Sequence, residues 1–207
     1  ALVACGVTTG WGTATYAADV QPGDTVVVVG IGGVGMNAVQ GAAMAGARYV
    51  VAVDPVEFKR EQSQIFGATH SAASVEEAAG LLGELTWGRN ADKVIVTTGE
   101  GKGEELGAIM GLVGKGGRCA YTSVANMNAN DVQLNLLDLA MQQKQLVGSI
   151  FGTANHRYDI PKLLGLYQSG QLKLDELITN TYSLDQINEG YQDMRDGKNI
   201  RGVLVYD

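Results

Sequence analysis

Few side chains in this 207-residue sequence could do chemistry unaided. It holds two cysteines, Cys5 and Cys119, and two histidines, His70 and His156. Cys5 sits among small residues in ACGVTTGWG, followed by what reads as a Thr-Thr-Gly turn. A thiol there suits a zinc ligand or plain packing. Neither histidine stands at ligand spacing from it. His70 reads as a surface residue in a loop after a helix, and His156 as a surface residue opening another. Cys119, in RCAYT, reads as a buried strand thiol.

The stronger chemical signal is a glycine spacing. VVVVGIGGVG sets Gly30, Gly32 and Gly35 in the pattern G-x-G-x-x-G. Alone the pattern is weak, because the sequence contains 29 glycines. Its context is more specific. A valine strand runs into the loop, a helix follows, and the next strand, YVVAV, ends at Asp54, about twenty residues beyond. Gly30 permits the turn out of the strand, Gly32 lets backbone approach a pyrophosphate, and Gly35 lets helix and sheet pack closely. Backbone N–H groups and the helix dipole would hold the phosphates. The Asp54 carboxylate would accept from ribose hydroxyls and repel a 2′-phosphate, which favours NAD over NADP. Asp54 also suits a turn before Pro55, and the two readings are compatible. Lys59, one turn into the next helix, reaches for the ribose or for solvent. Thr97-Thr98-Gly99 and Thr122-Ser123-Val124 end later strands, where ligands of open α/β sheets lie.

Those groups need a sheet to carry them. Short β-branched runs predict strands at Thr25–Val29, Tyr49–Val53, 93–97, 118–122, 146–150 and 203–206. Helical patterns fill 33–47, 57–68, 74–85, 103–113 and 135–144, with Ser74 as a cap. The alternation predicts an α/β fold: a Rossmann-type, doubly wound, parallel six-stranded sheet. Two further helices, 156–171 and 183–197, precede the last strand and either complete this domain or dock on another. Apolar residues make up 45% and charged residues 18%, a globular balance. The net charge of −7 argues against nucleic acid and against an anionic membrane as partners. No apolar run reaches the roughly 18 residues of a spanning helix. No signal peptide is evident, and two separated thiols fit a reducing compartment, read as cytoplasmic. The opening ALVACG reads as a chain entered partway through.

The glycine loop, Asp54 and ACGVTTGWG together resemble the zinc-dependent alcohol dehydrogenases of the medium-chain dehydrogenase/reductase superfamily. The resemblance runs on through LVGSIFG and LKLDELITNTYSLDQINEGYQDMRDGKNIRGVLV, and so covers essentially the whole chain. It implies that Cys5 is a ligand of a catalytic zinc, with Thr9 beside the nicotinamide ring. Ala4 departs from the family's usual glycine. Cofactor contacts are implied for Gly30, Ile31, Gly32, Gly33, Val34, Gly35, Asp54 and Lys59. Thr97, Thr98, Thr122, Ser123 and Val124 would flank the cofactor. Ser149 and Phe151 would lie near the carboxamide, and Arg201 on the pyrophosphate. Without the family, Arg201 is an ordinary surface cation.

The implied organisation is a catalytic-domain end at 1–12, an NAD-binding domain at 13–150, and a C-terminal catalytic-domain segment at 151–207. The N-terminal catalytic domain, with its other zinc ligands, is expected to lie outside the sequence. The implied function is hydride transfer between NAD and an alcohol, an aldehyde or a hemithioacetal adduct, with little turnover by this chain alone. Family dimers, joined edge to edge through the strand matching LVGSI, imply a homodimer or homotetramer. Three alternatives stay open: a non-catalytic NAD(H)-binding module, a zinc-free medium-chain reductase, and a flavin or methyl-donor cofactor on the same loop.

Overall fold

Five consecutive buried residues, Thr25–Val29, form β1 near the middle of the main sheet. Strands covered on both faces read as continuous apolar runs, which is why four valines follow one another here. The computed structural model describes residues 2–128 and 130–206. Around β1 lie β2 (Tyr49–Val53), β3 (His70–Ala72), β4 (Ala91–Val96), β5 (Val113–Tyr121) and β6 (Gln145–Gly148). All pair in parallel, in the order β3-β2-β1-β4-β5-β6. The six-stranded doubly wound sheet is the expected one, but its membership is not. The third strand opens at His70, in a stretch expected to be a loop, and the chain's last strand lies elsewhere.

Side chains alternate across the sheet, and each face has its own apolar layer. Val26, Val28, Val50, Ala52 and Ile95 pack under α1 (Gly6–Gly12), α2 (Gly33–Met44) and α7 (His156–Gln168). Val27, Val29, Val51, Val53 and Val96 pack under α4 (Val75–Thr86) and α5 (Gly103–Gly111). Each fully buried valine contributes about 1.5–2 kcal/mol. The Ser74 hydroxyl caps α4 by accepting from the Glu77 N–H, as its position predicted.

Residues 6–12 are helical, not a turn. Glycine and threonine are poor helix formers, so packing decides the conformation. A Cβ at Gly10 would collide with the Val34 carbonyl, and one at Gly41 would lie 3.1 Å from the Trp11 Cα. Bare backbone on both helices lets α1 and α2 meet at close range. The remaining helices are α3 (Glu57–Ser63), α6 (Leu136–Met141) and α8 (Ile187–Arg195). α3 is shorter than its amphipathic pattern, and α8 starts after a separate 3₁₀ turn at Leu184–Gln186. β7 (Ile178–Tyr182) pairs in parallel with β8 (Arg201–Leu204) as a small second sheet. The final strand therefore begins two residues earlier than 203–206 and does not extend the main sheet.

Candidate functional site

The carboxyl ends of β1, β2, β4 and β5 open onto a cleft of about 310 Å³. The chain winds outward from β1 in one direction and resumes at β4 in the other, so the cleft sits at the sheet's switch point. Gly30, Gly32, Gly33 and Val34 form one wall. Asp54 and Lys59 reach it from β2 and α3, Thr97 and Thr98 from β4, Thr122, Ser123 and Val124 from β5, and Arg201 from β8. Gly99, quoted in the sequence only as part of a strand end, lines it as well.

Local chemistry fixes each wall. Gly30 has φ +89°, and a Cβ there would meet the Thr98 backbone at 2.8 Å. The Thr97 hydroxyl donates to the Gly30 carbonyl at 2.6 Å and holds the start of the loop to β4. Asp54 is buried. Its Oδ2 accepts from the Ile31 N–H at 2.8 Å and its Oδ1 from the Val56 N–H at 3.0 Å. The carboxylate thus fastens the glycine loop to the end of β2 and shapes the turn at Pro55, while its edge faces the cleft. Arg60 supports that turn by donating to the Asp54 and Pro55 carbonyls at 2.8 and 2.9 Å. The Thr98 and Ser123 hydroxyls are 2.9 Å apart. One hydrogen is shared between them, which leaves one O–H to donate elsewhere.

The start of α2 is electrostatically exposed. Its cap residue is Gly32, so no side chain satisfies the first-turn N–H groups. The half-buried Arg201 guanidinium packs against Gly33 and Gly6 at this same end. Among the described residues no carboxylate lies within ion-pair distance of it. A positive helix terminus and a guanidinium repel one another until an anion lies between them.

Six of the expected site residues lie outside the cleft lining. Ile31 is fully buried in the core, and its N–H is held by Asp54. Gly35 packs against the Gly30 carbonyl. Cys5 is exposed, next to the Gly6 that touches Arg201. Thr9 lies in α1, and its carbonyl faces Gly152. Ser149 and Phe151 follow β6 in a turn whose three residues Phe151, Gly152 and Thr153 have φ of 56°, 69° and 57°. The left-handed region costs about 1–2 kcal/mol for a residue with a Cβ. Thr153 carries no chemical motif, so sequence reasoning passed it by; Gly152 was the only local sign of the turn.

Zinc does not fit the described residues alone, for no group of three His, Cys, Asp or Glu side chains among them could hold a metal ion. Cys119 is buried as expected, and burial pushes its thiol up to about 12. His156 is exposed as expected. His70 is half-buried rather than a surface residue, edge-on to Tyr49 with ring centroids 5.6 Å apart.

Comparison with known proteins agrees with this geometry. The family described as zinc-binding dehydrogenase matches residues 33–169, from the first turn of α2 through α7. The chain is 53% identical to an NDMA-dependent alcohol dehydrogenase of Amycolatopsis methanolica over 205 residues, covering 99% of this chain and 55% of that protein. It is 52% identical to alcohol dehydrogenase B of Mycobacterium tuberculosis, with the same coverage. A crystal structure of an alcohol dehydrogenase zinc-binding domain protein from Burkholderia ambifaria superposes with a TM-score of 0.90 at 27% identity, over 98% of this chain and 54% of the other. The chain spans a little over half the length of these relatives. With that model matched over most of the chain and relatives about half identical along nearly all of it, the chain belongs to the zinc-binding dehydrogenase family.

Proposed function

We propose that this chain is the dinucleotide-binding portion of an NAD(H)-dependent alcohol oxidoreductase of the medium-chain superfamily. The observation that carries the reading is the convergence of the uncapped start of α2 and the unpaired Arg201 guanidinium on one cleft. A diphosphate supplies the charge that both lack. Gly32 leaves open space where a side chain would block that approach. Asp54, already held by two backbone N–H groups, has lone pairs left for ribose hydroxyls, and its charge disfavours a 2′-phosphate. Lys59 lines the same end. The free O–H of the Thr98–Ser123 pair donates to an oxygen of the bound molecule.

Nicotinamide, when bound, accepts or donates the hydride exchanged with the alcohol or aldehyde carbon. The chain's own part is to hold the two phosphates, fix the ribose and present one face of the ring. We read Cys5 as one ligand of a zinc site whose other donors come from outside these 207 residues. Residues 1–12 and 151–207 are read as parts of a catalytic domain, and 13–150 as the cofactor domain. The free edge of β6, with Leu136, Leu137 and Met141 exposed on α6, supports assembly into a homodimer or homotetramer. Among the described residues no helix is long and apolar enough to cross a membrane. Two unpaired cysteines support a cytoplasmic setting.

Titration of the 207-residue chain with NADH and NADPH, read by nicotinamide fluorescence, tests the reading. Saturable binding with NADH preferred by at least about tenfold is expected. No saturable binding of either nucleotide would sink it.

A further inference from the structure

Two side-chain amides are buried inside α2. Asn37 is 1% exposed and Gln40 4% exposed, in a helix whose other buried residues are Gly, Ala, Val and Met. A buried amide without partners is costly, so each must find them. The Asn37 Nδ2 donates to the Gly33 carbonyl at 2.7 Å, and the Gln40 Nε2 donates to the Asn37 Oδ1 at 2.7 Å. The Gln40 Nε2 also donates to the Lys173 carbonyl at 3.1 Å, and its Oε1 accepts from the Lys173 N–H at 3.1 Å. Gln40 thus pairs with the main chain of residue 173 through two bonds, as one strand residue pairs with another.

The segment it grips leads back to the cleft. Leu172, Leu174 and Leu177, on either side of Lys173, are buried in the same apolar cluster as Val39 of α2. β7 begins directly after them, and its first residue, Ile178, is the register partner of Arg201 on β8. The register shifts between Ile178 and Asn180, and there the Thr179 hydroxyl accepts from the Ile200 N–H at 2.9 Å. The path closes where the Arg201 guanidinium packs against Gly33, the residue at which the amide ladder ends. The helix start and the guanidinium, the two groups that the cleft offers an anion, are therefore held to one another by a closed circuit of contacts that runs through Gln40.

We infer that Gln40 is a positioning residue for the diphosphate: its paired bonds to Lys173 set the distance between the start of α2 and Arg201. This rests on the reading of the cleft as a dinucleotide site. Gln40 touches no ligand and acts through Arg201. Methionine matches its length and has no amide, so Gln40→Met fills the same space but unties residue 173. The Lys173 N–H and carbonyl are then left without partners and are drawn toward water, and the strand pair that carries Arg201 moves with them.

A double-mutant cycle tests this. NADH affinity of the 207-residue chain is measured by calorimetry at low and high salt for the parent, Gln40→Met, Arg201→Ala and the double variant, with circular dichroism to verify folding. Gln40→Met is expected to weaken NADH about fivefold and to flatten the salt dependence of its Kd, as a displaced cation would. Once Arg201 is alanine, the same substitution should change NADH affinity by less than about twofold, because the group it positions is gone. Thr179→Val keeps the side-chain shape, removes only the acceptor for the Ile200 N–H, and takes the place of Gln40→Met in the cycle if that variant does not fold. The inference is overturned if the variant used binds NADH as the parent does, if it leaves the salt dependence unchanged, or if its loss adds in full to that of Arg201→Ala. Any of these results with a parent that binds NADH leaves the dinucleotide reading standing. A parent that binds no NADH overturns both.

Discussion

Replacing Asp54 by asparagine changes one oxygen for an NH₂ group and removes one charge, with almost no change in volume. In the native site one carboxylate oxygen accepts from the Ile31 N–H at 2.8 Å and the other from the Val56 N–H at 3.0 Å. Asparagine has a single oxygen, so one of these N–H groups must face another donor. A buried N–H left without a partner costs about 1–3 kcal/mol, and the surviving bond loses about 1 kcal/mol of charge assistance. Together the loss is about 2–4 kcal/mol, or roughly 5–15 °C in Tm for a chain of this size. The charge change acts separately on selection. At an effective dielectric of about 20–80, a carboxylate about 4 Å from a 2′-phosphate costs about 1–4 kcal/mol per unit of charge. Asp54→Asn should therefore lower NADH affinity, through the loosened loop, and raise the NADPH-to-NADH affinity ratio by about tenfold or more. Thermal unfolding followed by circular dichroism, together with parallel fluorescence titrations, reads both effects. An unchanged Tm would refute the fastening of the loop by this carboxylate. An unchanged ratio would refute its role in excluding the 2′-phosphate.

Other outcomes are expected from the same structure. Arg201→Ala should weaken NADH about tenfold and flatten the salt dependence of its Kd, since the guanidinium is the cation placed beside the helix start; titrations at low and high salt measure this. Ellman's reagent should modify one thiol, Cys5, in the folded chain and a second, Cys119, only in denaturant. Burial, then the hydrogen bond donated to Asp159, push the Tyr16 phenol from 10.0 up to about 12, and burial pushes the Cys119 thiol from 9.0 up to about 12. Both groups are favoured in their protonated forms by the fold. Their stabilisation is full below the unfolded-state values and is lost as pH rises toward 12, so the urea midpoint should fall across that alkaline window. Cys119→Ala should remove the earlier part of the fall and Tyr16→Phe the later part. Zinc added to the chain should yield no ethanol oxidation, because Cys5 has no partner ligands among the described residues.

The glycine loop was legible because its information is local. A valine run buried on two faces, glycines at fixed offsets and an acid at the next strand's end are each demanded by the element in which they lie. Thr25–Val29 and Tyr49–Val53 were read to the residue for that reason. Local signals also misled. Thr8-Thr9-Gly10 read as a turn but lies within α1, because Gly10, Gly12 and Gly41 carry no side chain to keep neighbouring backbones apart. His70–Ala72 is too short to show a period and becomes a strand only by pairing with β2.

What the sequence determined by itself, then, was the fold class, the glycine loop after β1 and the acid at the end of β2, since each follows from a few neighbouring residues and their backbone preferences. Tertiary structure alone decided the partners of those residues. It bound Asp54 to the Ile31 N–H, brought Arg201 across from the second sheet to the start of α2, and bent Phe151–Thr153 into a left-handed turn against α1. These are contacts between segments far apart in the chain. Their energy depends on distances that no window of sequence contains and that only the packed sheet and helices set.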